Sequence, residues 1–104
     1  MLKSNENWTW QSDQVIPNDA AVGRRLLDEL LGRLQSLRWN HRDIFGIHLA
    51  VDEALVNAIR HGNRSAEDKH IRFCCRASPE KVRVEITEQP RFSRDYYELT
   101  HELK

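Results

Sequence analysis

Residues 49–63 read L-A-V-D-E-A-L-V-N-A-I-R-H-G-N. Placed on a helix at about 100° per residue, Glu53, Asn57 and His61 stack as one polar stripe, with Arg60 beside them. Gly46 and Ala50 carry that stripe backwards. Ile44, Ile47, Val51, Ala54, Leu55, Ala58 and Ile59 fill the opposite side, and Leu49 and Val56 close the flank. Apolar residues thus cover roughly two thirds of the circumference, more than a surface helix needs. The spacing predicts a largely buried helix whose one polar strip faces a cavity or groove, with small residues leaving room beside it. Gly62 is expected to end the helix in a left-handed C-cap. His48 and Asp52, also four apart, read as a mutually satisfied pair on the apolar side.

The flanking segments supply partners for such a helix. Trp8 to Ile16 alternates weakly, with Trp8 and Trp10 on one side, and reads as a strand that stops before Pro17. Asn18 is a candidate cap, with Asp19 in the first turn. From there to about Arg38, Val22, Leu26, Leu27, Leu30, Leu31, Leu34 and Leu37 keep a helical rhythm, with Arg24, Arg25, Asp28, Arg33 and Gln35 opposite. The short link at residues 39–43 makes the two helices antiparallel neighbours. Downstream, Ile71, Phe73, Cys75 and Ala77 alternate with His70, Arg72, Cys74 and Arg76. After the turn Ser78-Pro79-Glu80-Lys81, Val82, Val84 and Ile86 alternate with Arg83, Glu85 and Thr87. This is a β-hairpin with one face toward the helices. Residues 93–104 read as a short C-terminal helix carrying Tyr96, Leu99 and Leu103 on one side. The fold class is α+β: a two-layer sandwich of two antiparallel helices on a small mixed or antiparallel sheet.

The chain has 104 residues, which fits one domain with a modest core. Lys plus Arg and Asp plus Glu number sixteen each, for zero net charge. That argues against a nucleic-acid partner held by phosphate neutralisation. No apolar run approaches a membrane span, and the N-terminal residues lack a signal peptide's apolar core, so no membrane role and a cytoplasmic location are expected. Cys74 and Cys75 are adjacent and have no metal spacing, so both read as reduced structural thiols.

The pattern E-x-x-x-N-A-x-x-H-G-N over residues 53–63 resembles the N-box of the GHKL, or histidine kinase-like, ATPases. The wording V-D-E-A-L-V-N-A-I-R-H-G-N is closest to the anti-sigma-factor serine/threonine kinases. The resemblance implies Glu53 as general base and Asn57 holding Mg²⁺ against the phosphates of ATP. It places Ala58, His61 and Glu88 with Asn57 among the nucleotide-binding residues. A carboxylate can orient or deprotonate a hydroxyl, and a neutral amide oxygen suits a hard cation that keeps most of its waters. As partners it implies a sigma factor or an anti-anti-sigma protein.

The chain departs from the family after the hairpin. Where the family has D-x-G-x-G, residues 86–92 read I-T-E-Q-P-R-F. Glu88 stands for the aspartate that reads adenine, while Pro90 and Arg91 stand where glycine would let backbone approach the nucleotide. None of the four glycines lies beyond Gly62. With little chain left for an ATP lid, the resemblance is expected to cover about Val15 to Ile86, the first half of the domain. The whole chain then reads as one partial histidine kinase-like domain. Three functions follow: a regulatory protein acting through protein binding with ATP binding impaired or lost, an active Mg-ATP-dependent serine/threonine kinase, or a structural dimerisation module. A homodimer is expected, built through the C-terminal helix.

Overall fold

The computed structural model describes residues 7–65, 70–88 and 96–102. Along the chain come β1 (Trp10–Pro17), α1 (Ala20–Ser36), α2 (His41–Ser65), β2 (His70–Ala77), β3 (Lys81–Glu88) and β4 (Tyr96–Glu102). The strands form one antiparallel sheet in the order β1-β2-β3-β4. Both helices lie on one face of it, α1 over β1 and β2, α2 mainly over β3 and β4. The result is the two-layer α+β sandwich expected from the pattern.

Register explains which residues become core. Ile16 pairs with Ile71, Phe73 with Ile86, Cys75 with Val84 and Ala77 with Val82, so these share the face under the helices. All are buried there against Leu27, Leu30, Leu34, Ile47, Val51, Leu55 and Ala58. Cys74 points the other way, among Asp13, Arg72 and Glu85. Both thiols are free and buried. Burial, its largest cause in each, pushes both thiols above the ordinary range. On the outer face Arg72 donates through Nε to Asp13 at 2.8 Å.

The helices are antiparallel because the start of α1 meets the middle of α2. A Cβ on Gly23 would fall 2.7 Å from Leu55 Cδ2, so glycine permits the close approach. Between the helices the chain turns through a Schellman motif. Arg38 N–H donates to Gln35 O, and Trp39 N–H to Leu34 O. Arg38 takes the left-handed conformation at φ 69°. The buried Trp39 then donates its indole N–H to Ser78 O at 2.9 Å, tying this corner to the β2–β3 turn.

Several expectations are corrected. The C-terminal segment is not a helix. Tyr96–Glu102 is β4, with Val84 opposite Leu99 and Ile86 opposite Tyr97. Its alternating Tyr, Leu and Thr suit the free edge of β3 better than an isolated short helix. Gly62 does not stop α2, which continues to Ser65. A helical glycine costs only about 1 kcal/mol relative to Ala, and the helix tolerates it. The α1 cap is Asp19, whose carboxylate accepts from Ala21 N–H at 2.8 Å. Asn18 instead donates to Ile59 O of α2. Asp52 takes Arg24 of α1 at 3.4 Å rather than His48. Trp8 and Trp10 part company: Arg33 of α1 sits over Trp10, while Lys81 and Arg83 sit over Trp8.

Candidate functional site

The site is a face of α2, and its geometry follows from the packing of the helix. Ile47, Val51, Ala54, Leu55 and Ala58 seat α2 on the sheet and α1. Seating them turns the opposite side outward. Along it run Arg42, Phe45, Gly46, Leu49, Ala50, Glu53 and Arg60, all exposed, with Val56 and Asn57 half-buried. Glu53 and Asn57 are one turn apart on this face, reachable from solvent. Among the described residues the helix is therefore packed on one side. Leu49, expected to close a buried flank, is 54% exposed, and Phe45 is 61% exposed.

The sequence-expected site residues divide accordingly. Glu53 and Asn57 share the open face. Ala58 is 0% exposed and lies on the packed side, apart from them. His61 lies within α2, with its side chain outside the described residues. Glu88 closes β3 opposite Ile71, and its side chain is likewise outside them. The topology still brings its backbone close to the later turns of α2. Pro17, His70, Ile71 and Glu88 mark one end of the sheet. Asn18, next along from Pro17, holds Ile59 of α2 at that same end.

The donor set suits magnesium and phosphate in part. A carboxylate and a neutral amide stand on one face, and two turns before Glu53 a Cβ added at Gly46 would meet nothing within 4 Å. Asn57 would hold the cation by its amide oxygen, and Glu53 would orient a hydroxyl or water. Sequence reasoning missed the apolar part of this face. The signal was available: Phe45 and Leu49 are one turn apart and precede Glu53 by two turns and one.

No helix among the described residues is long and apolar enough to cross a membrane. A comparison with curated proteins finds none that matches. The family model of the histidine kinase-like ATPase domain matches residues 16–103. That span takes in both helices and all of β2, β3 and β4, so the family likeness extends past Ile86, where it was expected to end. The chain belongs to the histidine kinase-like ATPase domain family.

Proposed function

We propose that this chain is a cytoplasmic regulatory protein of the anti-sigma-factor serine/threonine kinase type. It acts by binding a protein partner, a sigma factor or an anti-anti-sigma protein, with ATP binding weakened or lost. One observation carries the reading. The α2 face keeps Glu53 and Asn57 reachable from solvent beside exposed Phe45 and Leu49, while the sequence continues from β3 as E-Q-P-R-F, without the glycines of D-x-G-x-G. Glu53, the general base by resemblance, and Asn57, the Mg²⁺ residue by resemblance, are both present, and proline and arginine stand where glycine backbone would admit a purine. Exposed apolar side chains beside the pair suit a protein surface better than a phosphate.

Titration calorimetry with ATP, with and without Mg²⁺, tests this. The expected result is no binding tighter than about millimolar in either condition. Micromolar, Mg²⁺-dependent binding that Asn57→Ala abolishes would replace it with the active-kinase reading. Asn57 is half-buried and is expected to serve function rather than folding. Asn57→Ala should therefore change unfolding free energy by less than about 0.5 kcal/mol. A larger loss would make Asn57 a structural residue.

A further inference from the structure

The outer face of the sheet is turned away from both helices, and so from Glu53 and Asn57. Cys75 and Ala77 face the helices opposite Val84 and Val82, so Arg76 and Arg83 face outward, directly opposite each other across β2 and β3. Both are half-buried. Directly opposed residues stand about 4.5–5.5 Å apart at Cα. Like charges so placed are destabilising, yet the sheet sets two guanidiniums side by side.

The neighbouring charges do not cancel the pair. Asp13 and Glu85 lie one row along the outer face, on either side of Cys74. Arg72 holds Asp13 through two nitrogens, one on each carboxylate oxygen. Arg76 takes part neither in that ion pair nor in Arg24–Asp52, and no carboxylate among the described residues is bonded to it. That leaves Glu85 as one carboxylate beside two guanidiniums. On the other side of the pair, Lys81 Nζ lies 5.0 Å from the centre of the Trp8 ring and Arg83 Cζ 5.8 Å from it. Lys81 stands opposite Glu102 in register, so its charge is counted as matched and the excess rests on the arginines. The Trp8 ring restrains the Arg83 side chain, which lowers the entropy cost of a further contact.

We propose that Arg76 and Arg83 hold a small phosphate-class dianion, inorganic phosphate being the simplest, beside the turn at residues 78–81. Two positive charges at one place match two negative charges on one compact group. Planar guanidinium forks bind the oxygens of such a group bidentately. An extended acidic peptide suits the place less, because it would cross the row of Asp13 and Glu85, which a compact anion does not reach. A bound dianion relieves the repulsion between the arginines only in the folded sheet, so it stabilises the fold. The inference goes beyond the functional reading above and concerns the opposite face. Its test uses neither ATP nor Mg²⁺, so either can fail alone.

Backbone amide and Trp8 indole resonances are followed by proton–nitrogen NMR as inorganic phosphate is raised to about 30 mM at about pH 7.5, where it is mainly dianionic. Sodium chloride holds the ionic strength constant. Shifts at residues 8, 76 and 83 should saturate together with a dissociation constant of about 1–10 mM, and R76Q and R83Q should each weaken binding at least about tenfold. Urea unfolding gives an independent reading. In chloride alone, R76Q should raise the unfolding midpoint by removing the repulsion. Phosphate should raise the midpoint of the unsubstituted chain more than that of R76Q, and the difference separates binding from the salting effect of phosphate on any protein. Shifts that stay linear in phosphate, saturation that persists in both variants, or a midpoint that R76Q lowers in chloride would each overturn the proposal.

Discussion

Gly23→Ala should reverse its sign depending on Leu55. In the unsubstituted chain the new methyl would stand 2.7 Å from Leu55 Cδ2, 2.9 Å from Cδ1 and 3.1 Å from Cγ. Ordinary carbon contacts are near 3.5–4.0 Å, so the methyl arrives about 1 Å too close. Leu55 is 1% exposed and boxed in by the core, so it cannot swing into solvent. Overpacking of this kind costs about 1–3 kcal/mol, while replacing a helical glycine returns about 0.5–1 kcal/mol. The net expectation is a loss of about 0.5–2 kcal/mol. Leu55→Ala alone should cost about 2–5 kcal/mol. It also removes all three clashing atoms. In that background Gly23→Ala keeps its helical gain and fills part of the cavity, so it should stabilise by about 0.5–1 kcal/mol. Urea unfolding of the four proteins, followed by tryptophan fluorescence, gives the cycle directly. If Gly23→Ala stabilises the unsubstituted chain, or if the two substitutions simply add, the close approach of α1 and α2 at this point is wrong.

Two further predictions concern polar links. Trp39→Phe removes the buried indole N–H donor to Ser78 O and should cost about 2 kcal/mol or more, from the stranded carbonyl and lost volume together; an unfolding midpoint unchanged by the substitution would contradict the assigned bond. The Asp13 carboxyl is held below its usual 3.8 by hydrogen bonding to Arg72 and by that residue's charge. Because the folded value is the lower one, the stability it brings is present above the unfolded value and lost as pH falls through the folded one. Asp13→Asn should therefore destabilise the protein at neutral pH and lose that disadvantage in strong acid. An equal deficit at both pH values, in urea titrations of parent and variant, would show the pair to be energetically silent.

Much of this fold is written in local periodicity. The buried side of α2 follows from Ile47, Val51, Ala54, Leu55 and Ala58 at helical spacing. The hairpin, with Cys75 inward and Cys74 outward, follows from alternation. Pairing choices were not legible in the same way. Residues 96–102, Y-Y-E-L-T-H-E, satisfy a short helical spacing and a strand alternation equally well. What decides between them is the open edge of β3, a partner that no window of that length contains. Asp19 rather than Asn18 caps α1 because the cap is chosen by backbone shape, and both side chains are competent. Of the candidate site, Glu53 and Asn57 were legible as a pair because i and i+4 share a face. The exposure of Phe45 and Leu49 was not. Apolar residues on two thirds of a helix imply burial only where other elements pack on them, and among the described residues one sheet and one helix pack on about half of α2.

The strand order has a kinetic consequence. β2, β3 and β4 form a meander of near neighbours, with Ala77 opposite Val82 across a tight turn. β1 joins the same sheet from the far side of both helices, with Trp10 opposite that same Ala77. Closing this second loop is longer by more than about three doublings of length, about 2 kcal/mol of extra chain entropy. The meander is thus expected to zip first and β1 to add last. By the same ledger of entropy, β1 is expected to peel away first when the native protein breathes, baring the backbone groups of β2 while the rest of the sheet stays closed.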